Sequence, residues 1–496
     1  MKKIFTKGAL AFTLALTVSS CSKEYLQTNP TIQIATADAF STTTNAQAAL
    51  NGIHRILFSQ TFGQQTQGGQ SGNMLYMDIM GDDMVMNTTS SAGLRSEYQW
   101  ISHRTVSSAI NEYNYSFYYV IIGNANMIIA NIDNATGPQA TKDVIKGEAL
   151  TFRAWAYFQM VQLFGERFVA GAANSGLGVP IVLVPTVERT ARNTVAQVYT
   201  QINTDIDAAI GLLANYTRPN KSHFDVKIAK GIKARIALAQ QNYTVAAQMA
   251  SEARVGFTLM SNAQYQTGFN DYSNPEWMWG SKIVADQTNF FYSFFAYQSS
   301  NYNSTVIRTS PKSIFSKLYN QITTTDVRKK LWDPTGTNTA SFPIAVGGTR
   351  YPYISNKFRV ADLNLSIGDV PYMRAAEMYL IEAEAKARAK DDAGAAAALY
   401  PLAVNRDPSY TLSTKTGTAL IDEIMIQRRV ELWGEGFRFY DLKRTNSALD
   451  RTGGNHSATT TNGTLQVAPT DIKWQFLIPL EEINVGNGVV IQNPLS

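Results

Sequence analysis

Apolar side chains return every three or four residues in several stretches of the chain, and each return marks one face of a helix. Val195, Val198, Ile202, Ile206, Ala209 and Leu213 form one such stripe, and Thr194 followed by Gln197 has the spacing of a capping box at its start. Leu150, Ala154, Tyr157 and Val161 form a second, closed by Gly165, and Ala376, Leu380, Ala383 and Ala387 a third. A fourth runs through Ile421, Ile424, Met425 and Leu432 and stops at Gly434. These stripes predict a mostly helical chain.

Two stretches read as paired helices. In "VKIAKGIKARIALAQQNYTVAAQMASEAR" (226–254), Ala234, Tyr243, Ala247 and Ala250 fall at tetratricopeptide-like spacings, where small residues let two helices approach closely. A second pair is expected from Tyr372 to Asn405, hinged near Asp391, Asp392 and Gly394. Between them the pattern changes. Residues 256–370 are rich in Asn, Ser, Thr, Tyr and Phe and read as loops, short strands and isolated helices, with "WMWGSKIV" (277–284) alternating like a strand. "GQQTQGGQSGN" (63–73) and "RTGGNHSATTTNG" (451–463) have flexible-loop compositions. The expectation is all-α: helix pairs as a scaffold, a loop-rich insertion and a few short strands.

The N-terminus has a different grammar. Lys2, Lys3 and Lys7 precede an apolar run from Ala9 to Leu16, too short to span a bilayer, and then the small residues Ser19 and Ser20. Residues 1–20 therefore read as a signal peptide. Cys21, the one cysteine of the chain, follows Val18, Ser19 and Ser20 as the acylated cysteine of a bacterial lipoprotein does, and is the expected lipid-attachment residue. Residues 21–496 are expected to form one domain, stabilised by a large core without disulfides. Without the three signal lysines, 40 basic residues face 38 acidic ones, a balance that gives no support for a nucleic-acid partner.

Catalytic and cofactor motifs are missing. His54, His103, His223 and His456 are far apart in sequence without metal-ligand spacing, and no phosphate loop, dinucleotide fingerprint or nucleophile elbow is present, so neither metal nor cofactor is expected. Asp82 and Asp83 with Asn87 could bind a hard cation or accept ligand hydroxyls, or be solvated turn residues. Arg428, Arg429, Glu431, Glu435, Arg438, Asp441 and Arg444 cluster around a helix end, and spacings of three (Arg428 to Glu431, Arg438 to Asp441) suggest intrahelical pairing. Glu431 and Glu435, one turn apart, are the best catalytic carboxylate pair, with architecture the favoured role. Aromatic residues are plentiful, with 7 Trp, 24 Tyr and 23 Phe. Rings on irregular segments, such as Trp100, Tyr292, Tyr297 and Tyr302, suit stacking on a sugar or an extended peptide, although such a ring serves packing as readily as binding.

In this order the blocks "CSKEYLQTNPT", "GEALTFRAWAYFQMVQLFG", "DVPYMRAAEMYLIEAEAKAR", "RRVELWGEGFRFYDLKR" and "FLIPLEEINVGNGVVIQNP" resemble the SusD/RagB-like surface lipoproteins of Bacteroidetes over nearly the whole chain. The resemblance implies a lipid-anchored, non-enzymatic receptor in the outer membrane that faces the cell exterior. Such a receptor binds oligosaccharide or polysaccharide and delivers it to a SusC-like TonB-dependent transporter. A peptide receptor of the RagB type and a carboxylate-dependent surface glycoside hydrolase are the alternatives. Family ligand residues follow no fixed motif. Within the loop-rich windows 74–104 and 286–305, we take Trp100, Tyr292, Tyr297 and Tyr302 as stacking platforms and Asp83 and Arg95 as polar partners.

Overall fold

The computed structural model describes residues 39–60, 62–89, 94–287 and 293–495; Cys21 and Tyr292 lie outside them. The expected stripes form helices. The longer ones are α1 (Thr43–Ile56), α2 (Gly69–Ile79), α3 (Ala109–Asn131), α4 (Gln139–Phe164), α5 (Val195–Leu212), α6 (Val226–Ala239), α7 (Tyr243–Ala253), α8 (Ala375–Arg388), α9 (Asp392–Arg406), α10 (Gly417–Glu431) and α11 (Arg438–Arg444). At the start of α5 the Thr194 hydroxyl accepts from Gln197 N–H, and the Gln197 side chain bonds back to the Thr194 N–H, so the capping box closes. Val195, Val198, Ile202, Ile206, Ala209 and Leu213 are all buried.

Neighbouring helices stack in sequence, α3 on α4, α4 on α5, α5 on α6 and α6 on α7. The stack then continues from α7 to α8 and from α8 to α9 and α10, although α7 ends at Ala253 and α8 begins at Ala375. The intervening residues leave the stack and return to it. Strands β2 (Trp277–Ser281) and β6 (Val370–Arg374) pair antiparallel across the base of this excursion, with a register shift at Trp279. Trp279 fastens the pair to the scaffold: its ring lies edge-on to Trp155 of α4 at 5.5 Å and against Phe224 and Tyr372 at 5.0 Å each. Further out, β1 (Met84–Met86), β3 (Lys312–Ile314), β4 (Trp332–Asp333) and β5 (Ile354–Ser355) form an antiparallel sheet in the order β1-β3-β5-β4.

One stretch departs from its composition. The Gly- and Gln-rich residues 63–73 were expected as loop, yet residues 69–73 open the buried helix α2. Packing explains it, since a Cβ on Gly72 would stand 2.4 Å from the Thr66 carbonyl oxygen and 2.8 Å from the Tyr113 hydroxyl. Small residues here are what let α2 lie against α3.

Two buried ion-pair networks brace the structure; the first welds the excursion to the helices, and the second ties the turn after α2 to α10 and α11. Arg374 of β6 binds Glu276, Glu431 and Glu435; Arg406 of α9 binds Glu276 and Glu431; Arg328 binds Asp326 and Glu431; Lys357 binds Glu435. Four acids thus face four bases, and all eight are buried. In the second network Arg429 and Arg438 clamp Asp83 and Asp82 (2.6 and 2.5 Å), while Asp441 takes both Arg428 (2.7 Å) and Arg444 (2.8 Å). The expected Arg428–Glu431 and Arg438–Asp441 pairs therefore give way to pairs between elements, because Glu431 is already surrounded by three guanidinium groups. Burial alone would raise the Glu431 carboxyl, but Arg406, Arg374 and Arg328 hold it well below the usual carboxylate range.

Candidate functional site

Most of the expected ligand rings face inward. Trp100 is 3% exposed, packs against His103, Phe439 and Trp474, and donates its indole N–H to the Met80 carbonyl at 2.8 Å. Tyr297, on a short helix Phe294–Gln298, and Tyr302 just after it are also buried. Their neighbours Phe294 and Phe295 wedge against Phe358. None of these three rings offers a stacking face, so the structure corrects their assignment as platforms. Tyr292 lies outside the described residues. Asp83 is no ligand acceptor or solvated turn residue either: Arg429 holds it with bonds of 2.9 and 2.6 Å, and Trp433 Nε1 donates to its carbonyl. Of these residues, among those described, Arg95 alone is exposed, and it makes a long contact (3.4 Å) to the Thr89 carbonyl.

The carboxylates considered for catalysis are closed off. Glu431 and Glu435 are buried, and among the described residues their carboxylates pair with Arg328, Arg374, Arg406 and Lys357. A general acid needs a proton it can give to substrate at working pH, and Glu435, like Glu431, is pushed the other way. Burial favours its proton, but Arg374 and Lys357 outweigh that and lower its pKa.

What the excursion does bring to the surface is a cleft of 260 Å³ at its base, between the end of α1 and the turn after β2. Arg55, Phe58 and Gln60 line it from the end of α1, Asp286, Gln287 and Ser293 from the segment after β2, and Ser71 from α2. Arg55, Asp286 and Gln287 are exposed and the Phe58 ring is half-buried. Both walls are fixed by hydrogen bonds. The Leu57 carbonyl accepts from Gln70 N–H (2.7 Å) and from the Tyr372 hydroxyl (3.0 Å), which ties the end of α1 to β6. That approach needs glycine at 69, where φ is +55° and a Cβ would meet the Leu57 oxygen at 2.2 Å. On the other side Asp369 accepts from Ile283 N–H (2.7 Å) and Tyr272 N–H (2.8 Å), holding the turn. Burial raises the Asp369 carboxyl despite these two bonds. Arg55 and Phe58 carry no motif that marks them in the sequence; only the window 286–305 pointed here.

A larger groove of 920 Å³ lies on the helical side, between α3 and the 180–190 loop. Aliphatic residues line it together with Tyr115, Tyr119, Asn124 and Asn126. Val120, Val184 and Val187 are exposed, the last at 89%, and Arg189 pairs with Glu482 at its rim (2.9 Å). The histidines also regroup. His54 and His223, 169 positions apart in the chain, meet at the carboxylate of Glu148. Among the described residues no helix is long and apolar enough to cross a membrane.

A stack of helix pairs that carries a long, pinned excursion with surface clefts defines a scaffolded binding protein. Residues 239–495 match the family described as "SusD family", and residues 24–238 the one described as "Starch-binding associating with outer membrane". The chain belongs to the SusD family. It is 25% identical to a SusD-like carbohydrate binding protein from Bacteroides vulgatus, with a TM-score of 0.81 over 90% of this chain and 97% of that one. A surface glycan-binding protein A from Bacteroides thetaiotaomicron, solved with laminarihexaose, shares the fold at 16% identity and a TM-score of 0.71, over 91% of this chain and 99% of that one. SusD-like protein P2 of Formosa agariphila is 26% identical over 155 residues, which are 31% of this chain and 28% of that relative.

Proposed function

We propose that this chain is a non-catalytic receptor that binds a nutrient oligosaccharide in the cleft between α1 and the turn after β2. The observation that carries the reading is the composition of that cleft among the described residues: an accessible ring, Phe58, flanked by Arg55, Asp286, Gln60 and Gln287. A flat apolar face beside planar hydrogen-bonding groups is what a pyranose requires. Kinship with carbohydrate-binding relatives supports it, as does the ion-paired burial of Glu431 and Glu435, which leaves the alternative hydrolase without its acid. Calorimetry against a panel of α- and β-linked glucans and other glycans tests the reading. Binding that Phe58→Ala weakens roughly 5- to 10-fold, on the scale of a lost aromatic contact, supports it. Absence of glycan binding alongside peptide binding would overturn it in favour of the peptide receptor.

The wider setting belongs to the same proposal. Cys21, acylated after removal of residues 1–20, anchors residues 21–496 as one domain in the outer membrane, facing the exterior. The receptor then hands its ligand to a SusC-like TonB-dependent transporter. The groove at α3, with its exposed valines, suits a protein surface better than a sugar, and we assign it to contact with that transporter. Val187→Asp is expected to reduce co-purification with the transporter while leaving glycan affinity unchanged; unchanged co-purification would remove the groove from the scheme.

A further inference from the structure

We propose that His54, Glu148 and His223 form a binding site for one divalent transition-metal ion of the zinc class. The three come from separate parts of the chain: His54 from the last turn of α1, Glu148 from α4, and His223 from the residues just before α6. His54 Nε2 lies 3.2 Å from Glu148 Oε2, and His223 Nδ1 lies 3.1 Å from each carboxylate oxygen. One ligand atom from each residue falls within 4.8 Å of the other two. A tetrahedral ion with bonds of about 2.0–2.1 Å spaces its donors about 3.3 Å apart. The two His–Glu distances are already edges of that figure, and a small rotation of His223, the one partly exposed member of the three, closes the third.

The surroundings favour a cation as well. Two imidazoles with one carboxylate is the donor set of zinc sites that keep a fourth position open. The open position here is on the His223 side, where the ring reaches solvent, so a water can complete the shell. Phe152 (4.8 Å) and Phe224 (5.8 Å) wall the His54 ring on the inner side. Phe224 N–H fixes Glu148 Oε2 at 3.0 Å, an outer contact of the kind that orients a ligating carboxylate. His54 Nδ1, though buried, has no hydrogen-bond partner among the described residues. Nε2, the nitrogen that meets Glu148, is thus the one offered to the cluster. Arg218, which donates to the His223 carbonyl at 3.0 Å, is offset by Asp225 at 3.2 Å, so its charge does not oppose an arriving cation unbalanced.

Titration of the chelator-treated, full-length mature chain tests the site. Co²⁺ serves as the visible probe, and Zn²⁺ is followed by calorimetry and by thermal unfolding. The proposal expects one ion per chain, ligand-field absorption of a four-coordinate Co²⁺ that Zn²⁺ abolishes, and a rise in Tm with either metal. His223→Asn and His54→Asn each lower the apparent affinity by at least about 100-fold, the upper end of what loss of an outer-sphere partner produces. His54 is buried and its variant can misfold; His223 is only partly buried, and its variant, checked by circular dichroism, keeps the test decisive. Absence of stoichiometric binding, or binding that survives His223→Asn undiminished, would overturn the assignment.

Discussion

Removing Glu431 is the sharpest test of how the excursion is held. Its two oxygens accept from Arg374 (2.9 Å), Arg406 (3.0 and 3.2 Å) and Arg328 (3.3 Å), all inside the protein. Glu431→Ala leaves those guanidinium groups with one acid fewer, turning four acids against four bases into three against four. Breaking a buried pair by deleting one partner costs about 3–5 kcal/mol, because the charge left behind has no solvent to relax into. Unfolding entropy near 2.1 cal/mol/K per residue gives roughly 1 kcal/mol/K for a chain of this length, so Tm should fall by about 3–5 °C. Differential scanning calorimetry reads this directly. Glu431→Gln keeps an acceptor but not the charge, and should fall between wild type and Glu431→Ala. Adding Arg374→Met to Glu431→Ala should recover part of the loss, since it removes one stranded cation. A drop below about 1 °C for Glu431→Ala, or no recovery in the double variant, would refute the account. So would glycan turnover lost in Glu431→Gln, since that would make the residue catalytic.

Other outcomes follow from the same structure. Glu97 is pushed up to about 7 from 4.5, chiefly by burial; its native state therefore holds a proton that the unfolded chain releases above pH 4.5. That contribution to stability is full below pH 4.5 and declines through pH 7, at up to about 1.4 kcal/mol per pH unit, and Glu97→Gln should flatten this part of the Tm–pH profile. Lys443, lowered to about 7 by burial, has the opposite sense: the unfolded chain binds the extra proton, so stability should climb from pH 7 towards 10, and Lys443→Met should abolish the climb. Gly69→Ala forces a side chain into positive φ and against the Leu57 oxygen, with an expected loss of about 1–2 kcal/mol or more and weaker glycan binding; wild-type affinity and stability would show that the Leu57 junction does not shape the cleft.

The scaffold was largely readable in advance. The stripe ending at Leu213 and the capping box at Thr194 are local signals set by side chains within one segment, and the strand at Trp277 was legible too, although its hydrogen bonds come from β6 far along the chain. The site was not. Whether Trp100 or Tyr302 faces water is decided by what packs on it, and the partners of Trp100 include Trp474, which no window around residue 100 contains. The same holds for Arg428, whose partner Asp441 lies on another helix, and for His54, brought to Glu148 across 94 positions. Phe58 gave no sign because a ring at the end of an amphipathic helix looks identical whether it closes a core or edges a cleft.

The pairing of β2 with β6 carries a consequence for specificity. Because the two ends of the excursion sit side by side and are locked to α4 by Trp279, the roughly ninety residues between them can change in length or shape without the helical spine having to shift. Such an arrangement behaves as an exchangeable cartridge in a fixed socket. Transplanting the segment between Ser281 and Val370 from one such protein to another should therefore move ligand preference with it, provided that Arg328 and Lys357, which reach from the segment to Glu431 and Glu435, are kept.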